Sequence, residues 1–237
     1  MEAALPEYEV RRSTRARRSR LTVTDDGRAI VVLPARAPER DAADLVIRHS
    51  RWLARHVGLA EARLAARNDR PALDAGRHVL LDGLRRRMVV TTSLVARRTD
   101  VHVEDVAGIV VTRSATERRS IAEVLEAWFR TRARGQLEAR LRARSREMDI
   151  GFKSFSVRDQ RTRWGSASRR GNLSFSWRLA MCPPDVLDYV VVHELAHLRV
   201  AGHSRRFWAL VERHYAESAS PRRWLRDHHD EIRHALD

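Results

Sequence analysis

Nine residues, Val190-Val191-Val192-His193-Glu194-Leu195-Ala196-His197-Leu198, constrain this chain more than any other stretch. They hold the pattern His-Glu-x-x-His inside an otherwise apolar run. On an α-helix, residues four apart stand one turn above each other on the same face. His193 and His197 can therefore offer two imidazoles to a single metal ion. Glu194 lies about 100° around the helix from His193. From there its carboxylate reaches a metal-bound water without becoming a ligand, which is the position of a general base. The apolar surroundings predict a buried helix. Buried polar groups are costly unless paired or metal-bound, so packing does not explain this trio.

The residues that follow extend the pattern. Gly202 is the residue type at which helices commonly stop, and Ser204 is a good N-cap for a second helix through Arg205-Arg206-Phe207-Trp208. His203 falls at the corner between them, free to turn back towards the metal. Three protein ligands and one open position is the arrangement of catalytic rather than structural zinc. Glu212 and Glu217, further along, compete for the third place. His203 is preferred for its corner position, and because three neutral imidazoles leave zinc more electrophilic than a set with a carboxylate.

His193-Glu194-Leu195-Ala196-His197-Leu198 followed by His203-Ser204-x-x-Phe207-Trp208 resembles the YgjP-like metal-dependent hydrolases, relatives of the SprT-like and WLM zinc metallopeptidases. Arg163-Trp164-Gly165-Ser166 and Asn172-Leu173-x-Phe175-x-Trp177-Arg178-Leu179 resemble a second signature of that family. Pro183-Pro184-x-Val186-Leu187-Asp188-Tyr189-Val190 resembles its lead-in to the metal helix. The likeness is dense over residues 150–230 and thinner before, although Arg11-Arg12-Ser13 through Leu33 shares it. The resemblance implies His193, His197 and His203 as zinc ligands and Glu194 as the base. Relatives usually carry Cys where Ala167 stands, so position 167 is not essential to this chemistry.

At 237 residues the chain can bury one large core or two small ones. The expected division is a mixed strand and helix region over residues 1–148 and a zincin-like metallohydrolase domain over 149–237, α+β in class. Leu21-x-Val23 and Ile30-Val31-Val32-Leu33 around Asp25-Asp26-Gly27 predict a hairpin, and a helix is expected from Pro38 to about Arg67. His78-Val79-Leu80-Leu81, Asp82-Gly83 and Met88-Val89-Val90 predict a second hairpin, with strands at Val101-x-Val103 and Ile109-Val110-Val111. Ser114-Ala115-Thr116-Glu117 fits a capping box for the helix carrying Ile121, Leu125, Trp128 and Phe129. Phe155-x-Val157, Thr162-x-Trp164 and Leu173-x-Phe175-x-Trp177-x-Leu179 alternate like strands of a short antiparallel sheet, with Ser168 to Gly171 as a turn. A closing helix is expected over Trp224-Leu225 and the stretch Asp227 to Leu236, and His214, His228, His229 and His234 read as solvated. No internal repeat stands out.

Net charge is +15, which makes nucleic acid a candidate partner through an Arg-rich surface. The densest run is Arg11 to Arg20. Lys153 is the only lysine, however, so a GC-rich coding bias explains the arginines equally well. One cysteine, Cys182, excludes an internal disulfide and a Cys-rich zinc ribbon, and points to a reducing cytoplasm. No apolar stretch is long enough to span a membrane. Met1 to Glu7 lacks the layout of a signal peptide.

The function expected is a zinc-dependent peptidase acting on a polypeptide. Zinc brings the pKa of a bound water to about 7, and Glu194 takes its proton. Arg163, Arg206 and Tyr215 are candidates for stabilising the oxyanion. Two alternatives stand beside it: a metal-dependent nucleotide phosphoanhydride hydrolase, and a non-enzymatic nucleic-acid binder braced by zinc. The first lacks a Gly-rich phosphate loop, and the second has no use for Glu194.

Overall fold

The computed structural model describes residues 7–160 and 162–237, so most of the stretch read for a signal peptide lies outside the described residues. The chain divides into two compact units, Met1–Arg70 and Pro71–Asp237. No helix among the described residues is long and apolar enough to cross a membrane.

The first unit contains β1 (Tyr8–Ser13), β2 (Arg20–Val23), β3 (Ala29–Pro34), α1 (Arg40–Arg48) and α2 (Ser50–Asn68). The hairpin forms as its turn residues dictate, with Gly27 at φ 85°. Val31, Leu33, Val46 and Leu53 are its buried centre. The single helix expected from Pro38 is two, broken at His49, where φ −110° and ψ 20° leave the helical region. The basic run opens inside a strand: Arg11 pairs with Glu9, and Arg12 donates to the carbonyls of Ala35 and Ala37.

The second unit begins with β4 (His78–Leu81), β5 (Leu84–Ser93), β6 (Asp100–Glu104) and β7 (Gly108–Ser114), ordered β4-β5-β7-β6. α3 (Ile121–Glu147) follows. Its capping box is Ser120 with Glu123, not Ser114 with Glu117. Ser114 ends β7 instead, and its hydroxyl donates to the Ala96 carbonyl. A second sheet, ordered β8-β10-β9, comprises β8 (Ser154–Arg158), β9 (Gly165–Ala167) and β10 (Asn172–Ser176). It is mixed rather than antiparallel: the chain crosses back after β8, so β8 runs parallel to β10, while Ser168 to Gly171 turns β9 into β10. β9 starts at Gly165, later than the strand expected around Thr162 and Trp164.

The alternation of β10 stops at Ser176, whose hydroxyl caps a 3-10 turn over Trp177–Met181. Every residue of that turn is buried, which a two-faced strand pattern does not describe. Then come α4 (Pro184–Arg199), α5 (Arg205–His214), α6 (Ala219–Asp227) and α7 (His229–Arg233), so the closing helix is two short ones. All four histidines expected in solvent are engaged: His228 Nδ1 lies 2.9 Å from the Trp224 carbonyl and His229 stands edge-on to Trp164 at 5.7 Å. His234 is 8% exposed with Asp237 on its Nδ1, and His214 meets Glu147 at 3.3 Å.

Two stretches build the same substructure, an internal repeat that the sequence reading does not contain. β1 runs parallel to β3 with Tyr8 opposite Ala29, and β5 runs parallel to β7 with Met88 opposite Ile109. The third strands match as well, Arg20 facing Val32 and Asp100 facing Thr112, both antiparallel. The links between strands are Ser13-x-x-Ala16-Arg17-Arg18-Ser19 and Ser93-x-x-Ala96-Arg97-Arg98-Thr99. In each, the leading serine Oγ accepts a backbone N–H, from Arg15 at 3.3 Å and from Ala96 at 3.1 Å. Identity is densest in the link, while the strands share only scattered positions such as Val10 with Val90 and Val31 with Val111, which hides the repeat.

The β4–β5 turn positions the entry to α4. Asp82 and Gly83 both have positive φ, 51° and 82°. Their N–H groups donate to the carbonyls of Ala180 and Met181, at 3.3 and 2.9 Å. A β-carbon on Gly83 would stand 2.5 Å from Pro183 Cγ, so only glycine allows this approach. Arg132 and Gln136 of α3 hold the Asp82 carboxylate, and Arg144 ties α3 to Asp188 of α4 at 3.1 Å.

Candidate metal centre

α4 starts where its sequence sets it, with Pro184 in the first turn, where a missing N–H costs nothing. Val190, Val191, Val192, Leu195 and Ala196 are buried, and His193 and His197 are left on a half-buried face. The helix ends at Arg199, Gly202 reverses the chain at φ 72°, and Ser204 caps α5 by accepting from the Phe207 N–H. That corner swings His203 back over α4. His193 Nε2 lies 3.2 Å from His197 Nε2 and 3.2 Å from His203 Nε2. One potential ligand atom from each of the three falls within 4.8 Å of the others, the one such group of three among the described residues. Glu212 and Glu217 are exposed and stand outside it.

The cluster suits a metal ion. Zinc–nitrogen bonds of about 2.0–2.1 Å in tetrahedral array set ligand nitrogens roughly 3.3 Å apart, close to the observed 3.2 Å. Burial, helped by the charges of His197 and His203, pushes His193 down to about 3, and burial lowers His197 too. These two imidazoles are therefore neutral at pH 7, with a lone pair available. Tyr189 Oη stands 3.3 Å from His193 Nδ1, and burial pushes the phenol up to about 12, so it stays protonated. With the proton of His193 on Nδ1 facing Tyr189, Nε2 is free to ligate. Phe207 stacks on His197 at 4.3 Å, Trp208 on His203 at 5.6 Å, and the Arg222 guanidinium covers Trp208 at 4.6 Å.

Glu194 is 6% exposed. Burial raises its carboxyl to about 7, against the pull of the Arg163 charge. A carboxyl at that point is half ionised near neutrality, as a base needs. Gly165 of β9 faces it: a β-carbon there would lie 2.6 Å from Glu194 Cγ and 2.7 Å from Oε1. Of the oxyanion candidates, the Tyr215 hydroxyl donates to the Asp185 carbonyl at 3.0 Å, Arg206 is exposed on α5, and Arg163 is exposed beside β9. Sequence reasoning missed Arg222, whose charge is felt by His193 and Tyr189. It missed the roles of Tyr189 and Gly165 as well. Tyr189 precedes His193 by one helical turn, a spacing that could have revealed it. No local signal marks Arg222.

No curated protein sequence matches the chain. The crystal structure of the metallopeptidase zymogen of Pyrococcus abyssi abylysin aligns at 19% identity with a TM-score of 0.36, covering 38% of this chain and 93% of that one. The sequence model described as "YgjP-like, metallopeptidase domain" matches residues 17–228. That span takes in both signatures, α4 and the His203 corner, and the chain belongs to the YgjP-like metallopeptidase family, with a zincin-like α+β fold.

Proposed function

We propose that the protein is a zinc peptidase of the His-Glu-x-x-His type that cleaves a polypeptide within the reducing cytoplasm. The observation that carries this reading is the convergence of three imidazole nitrogens beside one buried carboxyl of raised pKa. His193, His197 and His203 would hold the ion, and Glu194 would be the base. Residues 149–237 supply all of these groups and make up the catalytic portion. Bound zinc supplies Lewis acidity, acidifying a water and polarising the scissile carbonyl.

Everything else falls to the chain. A Glu194 carboxylate oxygen takes the proton from the attacking water and returns it to the leaving nitrogen. Tyr189 keeps the His193 ring in one tautomer and orientation. Arg222 supplies the positive charge that steadies the oxyanion. β9 is an edge strand, and its first residue touches the base, so its free edge is where an extended peptide adds by main-chain hydrogen bonds. The test is metal analysis of the purified protein, then a peptide panel on wild type and Glu194→Gln. Zinc in both proteins with turnover only in the wild type is expected. A protein that takes up no zinc, or cleaves no peptide when loaded, ends the reading.

A further inference from the structure

Beside the site, Gln160, Arg163, Trp164, Arg178, His229 and Arg233 line a shallow, solvent-open recess. None of these lining side chains is acidic. Arg178 forms a fixed floor: it is 6% exposed, its Nη1 pairs with Asp159, and its guanidinium lies 4.2 Å from the Trp177 ring centre. Asp159 also accepts from Trp177 Nε1 at 3.1 Å, which fixes the carboxylate in place. Arg178 Nε and Gln160 Oε1 are buried without hydrogen-bond partners. Trp164 stands edge-on to His229 at 5.7 Å, and its carbonyl accepts from the Ser176 N–H at 2.9 Å, which makes a rigid wall.

The recess joins the reacting region through the chain itself. Arg163 and Trp164 run directly into Gly165, which lies against Glu194. An extended peptide on the β9 edge that passes Gly165 comes next to Arg163 and Trp164. We infer that this recess binds a carboxylate of the substrate, either an acidic side chain close to the scissile bond or the C-terminal carboxylate. The inference rests on the peptidase reading. Guanidinium groups match carboxylates with paired N–H donors. Arg163 and Arg233 place further guanidinium donors beside the Arg178–Asp159 pair, and low-dielectric walls strengthen their pull on an anion.

The experiment uses the zinc-loaded full chain and matched peptides: C-terminal acid against amide, and Asp or Glu against Asn or Gln at each position near the cleaved bond. One carboxylate should be preferred about tenfold or more in kcat/KM, as a charge-assisted pair implies. The preference should fall to within about twofold in Arg163→Gln and in Arg233→Gln. The acid–amide arm separates a terminus from a side chain. Equal use of acidic and neutral peptides by the wild type, or a preference that survives both variants, overturns the inference. Calorimetry of the same peptides on Glu194→Gln reads binding without turnover. If no peptide is cleaved, the peptidase reading fails alone; carboxylate-dependent binding that the arginine variants abolish still upholds the recess. Inorganic phosphate that binds more tightly than any carboxylate peptide, with the same arginine dependence, would assign the recess to another ligand.

Discussion

The backbone of Gly165 lies so close to Glu194 that a β-carbon would stand 2.6 Å from Glu194 Cγ. Glycine is required there for space, not for a left-handed conformation. Gly165→Ala should displace the carboxyl or the strand, costing about 1–3 kcal/mol as overpacking does. A fall of several degrees in Tm with a loss of kcat is expected. A variant with both unchanged would show that β9 yields freely.

Glu194→Gln should retain zinc and lose hydrolysis by about a hundredfold or more, the range of general-base removal. In the metal-free protein it should be stabilising. The folded carboxyl is raised from 4.5 to about 7, so the folded state holds the extra proton between those values. Stability conferred by that proton is full at low pH and is lost as pH rises through about 7. Denaturant unfolding at pH 8 should find Glu194→Gln more stable by roughly 1–3 kcal/mol, and at pH 4 no different.

Activity needs the ionised base, so it should decline as pH falls through the acid limb. Arg163 pulls the Glu194 pKa downward against burial. Arg163→Gln should therefore move the acid limb of kcat upward by about half a unit or more. A downward shift would reverse the assignment.

His203→Ala should lose zinc affinity, whereas Glu212→Ala and Glu217→Ala should bind like the wild type. The converse result would place the site among those with a carboxylate ligand. Tyr189→Phe removes the partner of His193 Nδ1 and should weaken zinc by about tenfold or more. Competition with a chromophoric chelator measures all four.

Arg222→Gln should lower kcat by about tenfold to a thousandfold with little change in KM, because it acts on charge developed in the transition state. Arg206→Gln, on the exposed face of α5, should change neither.

What the sequence made legible follows from the reach of each interaction. The hairpins, α4 and the Ser204 cap depend on neighbours within a few residues, and their residue types announce them. The spacing of His193 and His197 is likewise helical arithmetic. Contacts between distant segments carry no such mark. Arg222 reaches the site from α6 through Trp208, and β8 takes a parallel partner because of a crossover that no periodicity records. Trp177 and Leu179 continue the alternation of β10, yet full burial of every residue from Trp177 to Met181 lets the backbone tighten into a 3-10 turn.

The paired strand modules bear on how the chain refolds. β5 offers β3 an alternative parallel neighbour, since β1 and β5 hold the same place in their sheets and end in the same serine-led bend. Loop length favours the proper choice only modestly: the wrong pairing closes a loop about three times longer, a handicap of about 1 kcal/mol. Dilution from denaturant should therefore yield a slow fraction trapped in exchanged strands. Linked chains, each lending a strand to the other, are the dimers such an exchange produces at high concentration.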